Sequence, residues 1–391
     1  MTDRILANIA ELVDAQADYV VELRHRLHRI PEPGFGEKRT ASLIAEELRK
    51  LDIDVRTGVG QTGIVADLVT GRPGAYVALR ADMDGLPLKE STGVDYASEN
   101  DGYSHCCGHD GHAAALVGAV RALSQIRGQL SGRVQFIFQP AEEICKGAEA
   151  MMDSGVLGLE PPVAILGVHA WPGLPADTVA CRQGTIMASC DVLTIKVSGK
   201  GGHGARPEQA RNPLLGMARV VNALSKLDDH ERIVSLCAAR VGRQANIIAN
   251  SGKLSGTVRA LNPQIRDRTL EEIVSSVEDE CGQLDLKAKV SFDAMSPAVI
   301  VDERLYGIFK EIGAELLGAD KVVELESPSM GSEDFGRYLD HVPGLLFRLG
   351  MGLDSPGLHQ ADFDFNDDAL RTATLMLCGL AIRVCMGGLQ G

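Results

Sequence analysis

Apolar residues recur at helical spacing from about residue 5 to Ile30, where Pro31 stops them. The stretch Glu32-Pro33-Gly34-Phe35-Gly36-Glu37 reads as a turn, and a second helix is predicted from about Lys38 to Leu51. The pattern then shortens to strand-like runs at Ile53–Arg56, Gly63–Val69 and Ala75–Arg80. The apolar run Ala113–Val120 predicts a buried helix, Arg133–Gln139 a strand, and Val163–Val168 another buried strand. Around Gly184 the texture changes. Strands are predicted at 191–198, near 232–241, near 254–261 and near 286–293, with helices at about 213–227 and 265–283. That β-α-β-β-α-β order is the order of a ferredoxin-like sandwich, so 185–298 is predicted to be an inserted domain. The first pattern resumes at Asp302, with a strand at Leu345–Leu349 and a closing helix from about Asn366 to Cys385.

The chain has 391 residues, enough for two domains. Its formal net charge is −14, with no long basic cluster to offset it, so neither nucleic acid nor an anionic membrane surface is an expected partner. No stretch reads as long and apolar enough to span a membrane. Met1–Asn8 lacks a basic region followed by an apolar core, so no signal peptide is expected. Nine cysteines, odd in number and irregularly spaced, read as reduced thiols of a cytoplasmic protein. Cys237, Cys281, Cys378 and Cys385 are expected to be small core residues.

Candidate chemistry concentrates in Ser104-His105-Cys106-Cys107-Gly108-His109-Asp110-Gly111-His112, just before the buried helix. Thiolate, imidazole and carboxylate are the side chains that bind transition metals, and Gly108 lets Cys107 and His109 face one point. More donor types follow predicted strands: Asp82 and Asp84 after the third, Glu142 and Glu143 after Pro140-Ala141, and His169 after the strand ending at Val168. Idle adjacent carboxylates would repel, and a cation would remove that cost. Gly199, Gly201 and Gly204 spell G-x-G-x-x-G, but Arg206-Pro207 intervenes before the next helix, which removes the dinucleotide-binding context. No G-x-S-x-G elbow of a serine hydrolase occurs.

Seven stretches together resemble the M20 metallopeptidases, and most closely their aminoacylase and hippurate hydrolase branch. They are Arg80–Pro87, Cys107–His112, Gln139–Glu143, Gly167–Pro172, Gly201–Ala205, Met330–Phe335 and Leu358-His359, in the family's order. The resemblance implies an α/β protein of two domains. One is a mixed-sheet, zinc-peptidase-like catalytic domain formed by 1–184 and 299–391. The other is the ferredoxin-like α+β insert at 185–298, acting as lid and dimerisation domain. It implies two divalent metal ions per subunit, Zn2+ or Mn2+ with Co2+ or Ni2+ as alternatives, held by Cys107, His109, Glu143, His169 and His359. Asp82 and Asp84 would stand behind those ligands, and Glu142 would be the general base. His203 would donate to the developing oxyanion, while Asn246 and Arg259 would hold a substrate carboxylate. The expected activity is hydrolysis of the amide bond of an N-acyl or N-aroyl amino acid, a small molecule, by a homodimer or tetramer joined through the insert. The alternatives are a dipeptidase, an N-acetyl-diaminopimelate deacetylase, or a non-catalytic binding protein on the same fold. Cys106 stands where the branch usually has alanine, Glu208 where it has histidine, and Asn212 where it has aspartate. The last two fall in the insert and bear on substrate choice.

Overall fold

The computed structural model describes residues 2–389, which form two compact units. The first comprises the chain up to Ile186, Ile300–Ser327, and Arg337 onward; the second comprises Met187–Val299 and Pro328–Gly336. The segment Pro328–Gly336, expected with the catalytic residues, thus clusters with the second unit.

The first unit is built on an eight-stranded mixed sheet. In spatial order its strands are Asp54–Val59, Gly63–Val69, Arg133–Gln139, Tyr76–Asp82, Ala164–Trp171, Gly344–Gly350, Val179–Cys181 and Val322–Glu324. The four strands from Arg133–Gln139 to Gly344–Gly350 run parallel to one another. They are almost wholly buried, as apolar runs between covered faces should be. The helix His109–Gln125 packs against the closing helix Ala369–Gly387, and both lie on the strand Tyr76–Asp82. The N-terminal apolar pattern divides into two helices, Thr2–Asp14 and Ala17–His28.

The expectation that no stretch is apolar and long enough to span a membrane fails at one helix. Ala369–Gly387 is long and apolar enough, by length and composition, to cross a bilayer. Yet 83% of its most apolar window is buried inside the protein, so its uniform apolarity reflects a central position in the core.

The second unit has a four-stranded antiparallel sheet ordered Arg232–Val241, Ser251–Ala260, Ser189–Ser198, Lys287–Ser296. The helices Pro213–Leu224 and Pro263–Gly282 pack on it through Leu193, Ile195, Val197, Val220, Ile273 and Val277. Each helix opens on Asn-Pro: Asn212 Oδ1 accepts the Leu214 N–H and Asn262 Oδ1 accepts the Ile265 N–H. Cys237 is exposed rather than in the core. The pairing register slips between Leu236 and Ala238, so Cys237 falls at a bulge, where side-chain alternation breaks.

Candidate metal centre

The donors expected from the sequence gather at the C-terminal ends of the four parallel strands. Asp82 closes one strand, Glu142 and Glu143 follow the next, His169 lies near the end of the third, and His359 comes from the loop after the fourth. Gly108 adopts φ +84°, and the turn it makes opens the helix at His109. Cys107 Sγ lies 3.6 Å from His169 Nε2. Two sets of donor atoms converge on that thiol: Cys107 with His109 and His169, and Cys107 with Glu143 and His359. A third set brings His109 together with Glu142 and Glu143. His359 is itself placed by backbone geometry. Its φ is +62°, its N–H donates to the Cys106 carbonyl at 2.8 Å, and its Nε2 lies 3.4 Å from Glu143 Oε2.

Behind these donors stands a layer of buried polar groups. The Asp84 carboxylate accepts the backbone N–H groups of both Glu142 and Glu143 at 3.1 Å, one on each oxygen, and faces His109 Nδ1 at 3.2 Å. That leaves His109 Nε2 aimed at the acids. His112 lies in the first turn of the same helix as His109. Its Nε2 accepts the Ala170 N–H at 2.7 Å, so its proton sits on Nδ1 and is donated to Asp82 Oδ1 at 2.6 Å. The same Ala170 accepts from His169 Nδ1 at 2.8 Å, which turns His169 Nε2 toward the thiol. Arg80 completes the layer, donating to Asp82 Oδ2 and to Gln139 Oε1. The spacing His109-x-x-His112 placed these rings on neighbouring helical positions, but nothing in the sequence linked His112 to Ala170.

The electrostatics are those of a site built for cations. Burial pushes Asp82 up, but His109, Arg80 and His112 outweigh it and hold the carboxyl well below the usual range. Burial raises Glu143 to about 7, with the positive charge on His109 opposing and Asp84 adding to the rise. Burial alone would lower His109, yet the facing acids, Asp82 first, raise it to about 10. Among the described residues, His109 Nε2 and Glu143 Oε1 are buried without a hydrogen-bond partner, 3.8 Å apart. Two buried polar atoms left without partners are costly. A metal ion taking a lone pair from each, with the His109 proton on Nδ1, would satisfy both, so the residues present fit a metal.

The residues expected to touch substrate lie in the second unit. His203 and Asn246 are exposed on facing segments, with His203 paired to Ile247 and the Gly204 N–H donating to the Asn246 carbonyl at 2.9 Å. Arg259 is half-buried on the strand Ser251–Ala260, its Nη1 donating to Thr257 Oγ1 at 2.7 Å.

A mixed sheet that presents thiolate, imidazole and carboxylate donors at adjacent strand ends has the layout of a metallohydrolase. The model of peptidase family M20/M25/M40 matches residues 78–383, and the chain belongs to that family. It is 35% identical over 385 residues to the protein YhaA of Bacillus subtilis, covering 96% of each chain. It is 31% identical over 381 residues to the hippurate hydrolase of Campylobacter jejuni, covering 96% of this chain and 98% of that one. Among solved structures it resembles the Bacillus subtilis YXEP protein, a dinuclear metal-binding peptidase of the M20 family. That match has a TM-score of 0.86 at 29% identity and covers 95% of this chain and 99% of the other.

Proposed function

We propose that this protein is a two-metal amidohydrolase that cleaves the amide bond of N-acyl or N-aroyl amino acids. The observation that carries the reading is the position of Cys107, common to two separate donor sets, with Glu142 beside the ligand Glu143. The residues that would hold the metals are Cys107, His109, His169, Glu143 and His359, which make up these two sets. When bound, the metals supply a polarising charge for the scissile carbonyl and acidify a water from pKa 15.7 to roughly 7. The chain's own residues do the rest. Glu142, buried and with its backbone N–H fixed on Asp84, takes the proton of the attacking water and returns it to the leaving amine. Asp84, Asp82 and His112 keep the ligand rings in one orientation, as the supporting layer of a metal site does.

His203 is proposed as the donor to the developing oxyanion, and Asn246 with Arg259 as the clamp on the substrate carboxylate. A guanidinium fork matches a carboxylate with two parallel hydrogen bonds, which selects for a free acid on the amine side. The insert is proposed to join two subunits, and the nine free thiols support a reducing, cytoplasmic setting. Zn2+ or Mn2+ is the proposed native metal, with Co2+ or Ni2+ as alternatives, since thiolate favours zinc and carboxylates suit manganese. The test is turnover of a panel of N-acyl amino acids, dipeptides and N-acetyl-diaminopimelate by metal-stripped protein given Zn2+, Mn2+, Co2+ or Ni2+. Restored hydrolysis of acyl amino acids supports the reading; full activity without any metal removes it.

A further inference from the structure

We propose that Glu37 is a positioning residue for the reaction: by holding the Ala141 peptide in a left-handed conformation, it aims Glu142. The inference rests on the reading of Glu142 as general base.

Two residues with positive φ and no glycine freedom bracket the catalytic pair, Ala141 at +54° and Cys145 at +51°. A non-glycine residue held there is strained and persists only where its surroundings insist on it. For Ala141 those surroundings are specific. Its N–H donates to Glu37 Oε1 at 2.8 Å, from a residue 104 positions earlier in the chain. Its carbonyl accepts the N–H groups of Lys146 and Gly147. The other oxygen of Glu37 accepts the Thr62 hydroxyl at 2.6 Å, so the fully buried carboxylate is fixed at both ends.

Glu37 could have served its own helix, because it stands at the N-cap of Lys38–Arg49, but it makes no side-chain cap bond there. Glu32 does that work, accepting the N–H groups of Arg39 and Thr40 on Oε2. Glu37 is thereby released to reach the catalytic loop. Burial raises its carboxyl above the ordinary range. The turn that carries it also touches Ala141 directly. A Cβ at Gly34 would stand 3.0 Å from both Ala141 Cα and Cβ, so glycine lets this turn lie tightly against the catalytic loop.

The arrangement has a chemical consequence. Asp84 fixes the N–H groups of Glu142 and Glu143 from one side, and Glu37 fixes the preceding peptide from the other. If the Ala141 peptide relaxed to negative φ, the Glu142 carboxylate would swing away while Glu143 could still follow its metal. A misplacement of about 1 Å is enough to cost on the order of a hundredfold in rate.

The experiment compares Glu37→Ala, Glu37→Gln and Glu37→Ala/Ala141→Gly for kcat, KM and bound metal, with Glu142→Gln as the control on the base. Glu37→Ala is expected to lower kcat about tenfold to a hundredfold, with KM and metal content within about twofold of the parent. Glu37→Gln should keep most of the rate, because its amide oxygen still accepts from Ala141. Adding Ala141→Gly should restore most of what Glu37→Ala loses, since glycine adopts positive φ without the steric penalty that Glu37 offsets. Unchanged kcat in Glu37→Ala, metal loss in step with the rate, or no rescue by Ala141→Gly would overturn the proposal. If Glu37→Ala fails to fold, Gly34→Ala presses on the same peptide without emptying a buried site, and unchanged kcat there would overturn it equally. An inactive Glu142→Gln beside an unaffected Glu37→Ala removes the role of Glu37 alone. A fully active Glu142→Gln removes the reading of the base and this proposal with it.

Discussion

Glu142 and Glu143 are neighbours with the same side chain, and their surroundings separate them. Glu143 faces His359 and Cys107, whereas Glu142 shares with it only the approach to His109. Glu142→Gln should therefore keep its metal and lose turnover, while Glu143→Gln should lose metal; elemental analysis beside a rate assay checks both. Equal metal content and an equal, modest rate loss in the two variants would contradict the division. The paired thiols allow a similar comparison. Cys107 Sγ stands among the donors, while Cys106 is buried beside them with its thiol pushed up by desolvation, away from the thiolate form that binds. Cys107→Ala should lose metal and Cys106→Ala should retain it. The reverse result would mean that the neighbouring thiol is the ligand.

At the scale of elements, the sheet ends and the helix starts do most of the placing. The strand Arg133–Gln139 was legible residue for residue because a short apolar run bounded by Arg and Pro has few other readings. The strand Arg232–Val241 was equally legible in extent, yet the exposure of Cys237 was not, because a bulge depends on how two strands pair and leaves no mark on either alone. Eight of the nine thiols are buried. A membrane-impermeant maleimide should thus label one site quickly in the native protein, and peptide mapping should find it at Cys237. Rapid labelling of several sites would show the cores of both units to be open.

For the molecule as a whole, the helix Ala17–His28 is tied to the start of the helix His109–Gln125 by a charge cluster centred on the buried Arg24. Arg24 Nε lies 2.7 Å from Asp110 Oδ2, and Arg24 also meets Asp364 and Asp367. His28 joins it, with Nδ1 2.8 Å from the same Asp110 oxygen and Nε2 3.2 Å from Glu90. Burial alone would lower His28, but Asp110 and Glu90 prevail and raise it from 6.5 to about 9. A pKa raised on folding adds stability that is fully present below about pH 6.5 and disappears as pH rises through about 9. The shift corresponds to about 3 kcal/mol. Urea unfolding of metal-stripped protein at pH 6.5 and 9.5 should show that loss, and His28→Gln should reduce it. An unchanged pH dependence in His28→Gln would place the titration elsewhere.

By itself the sequence determined the donor types, their order along the chain, the strands and helices that carry them and the ferredoxin-like order of the insert. These are local matters: periodicity, capping and strand-end punctuation are written within a few residues of where they act. Only the tertiary structure decided that Cys107 meets two donor sets, that His112 is clamped between Asp82 and the Ala170 N–H, and that Glu37 reaches Ala141. It also decided that Ala369–Gly387, a helix long and apolar enough to cross a bilayer, lies in the protein core. Each of these depends on which segments the packed sheet brings side by side, and contacts between distant segments are settled only when burial of the whole core chooses one register.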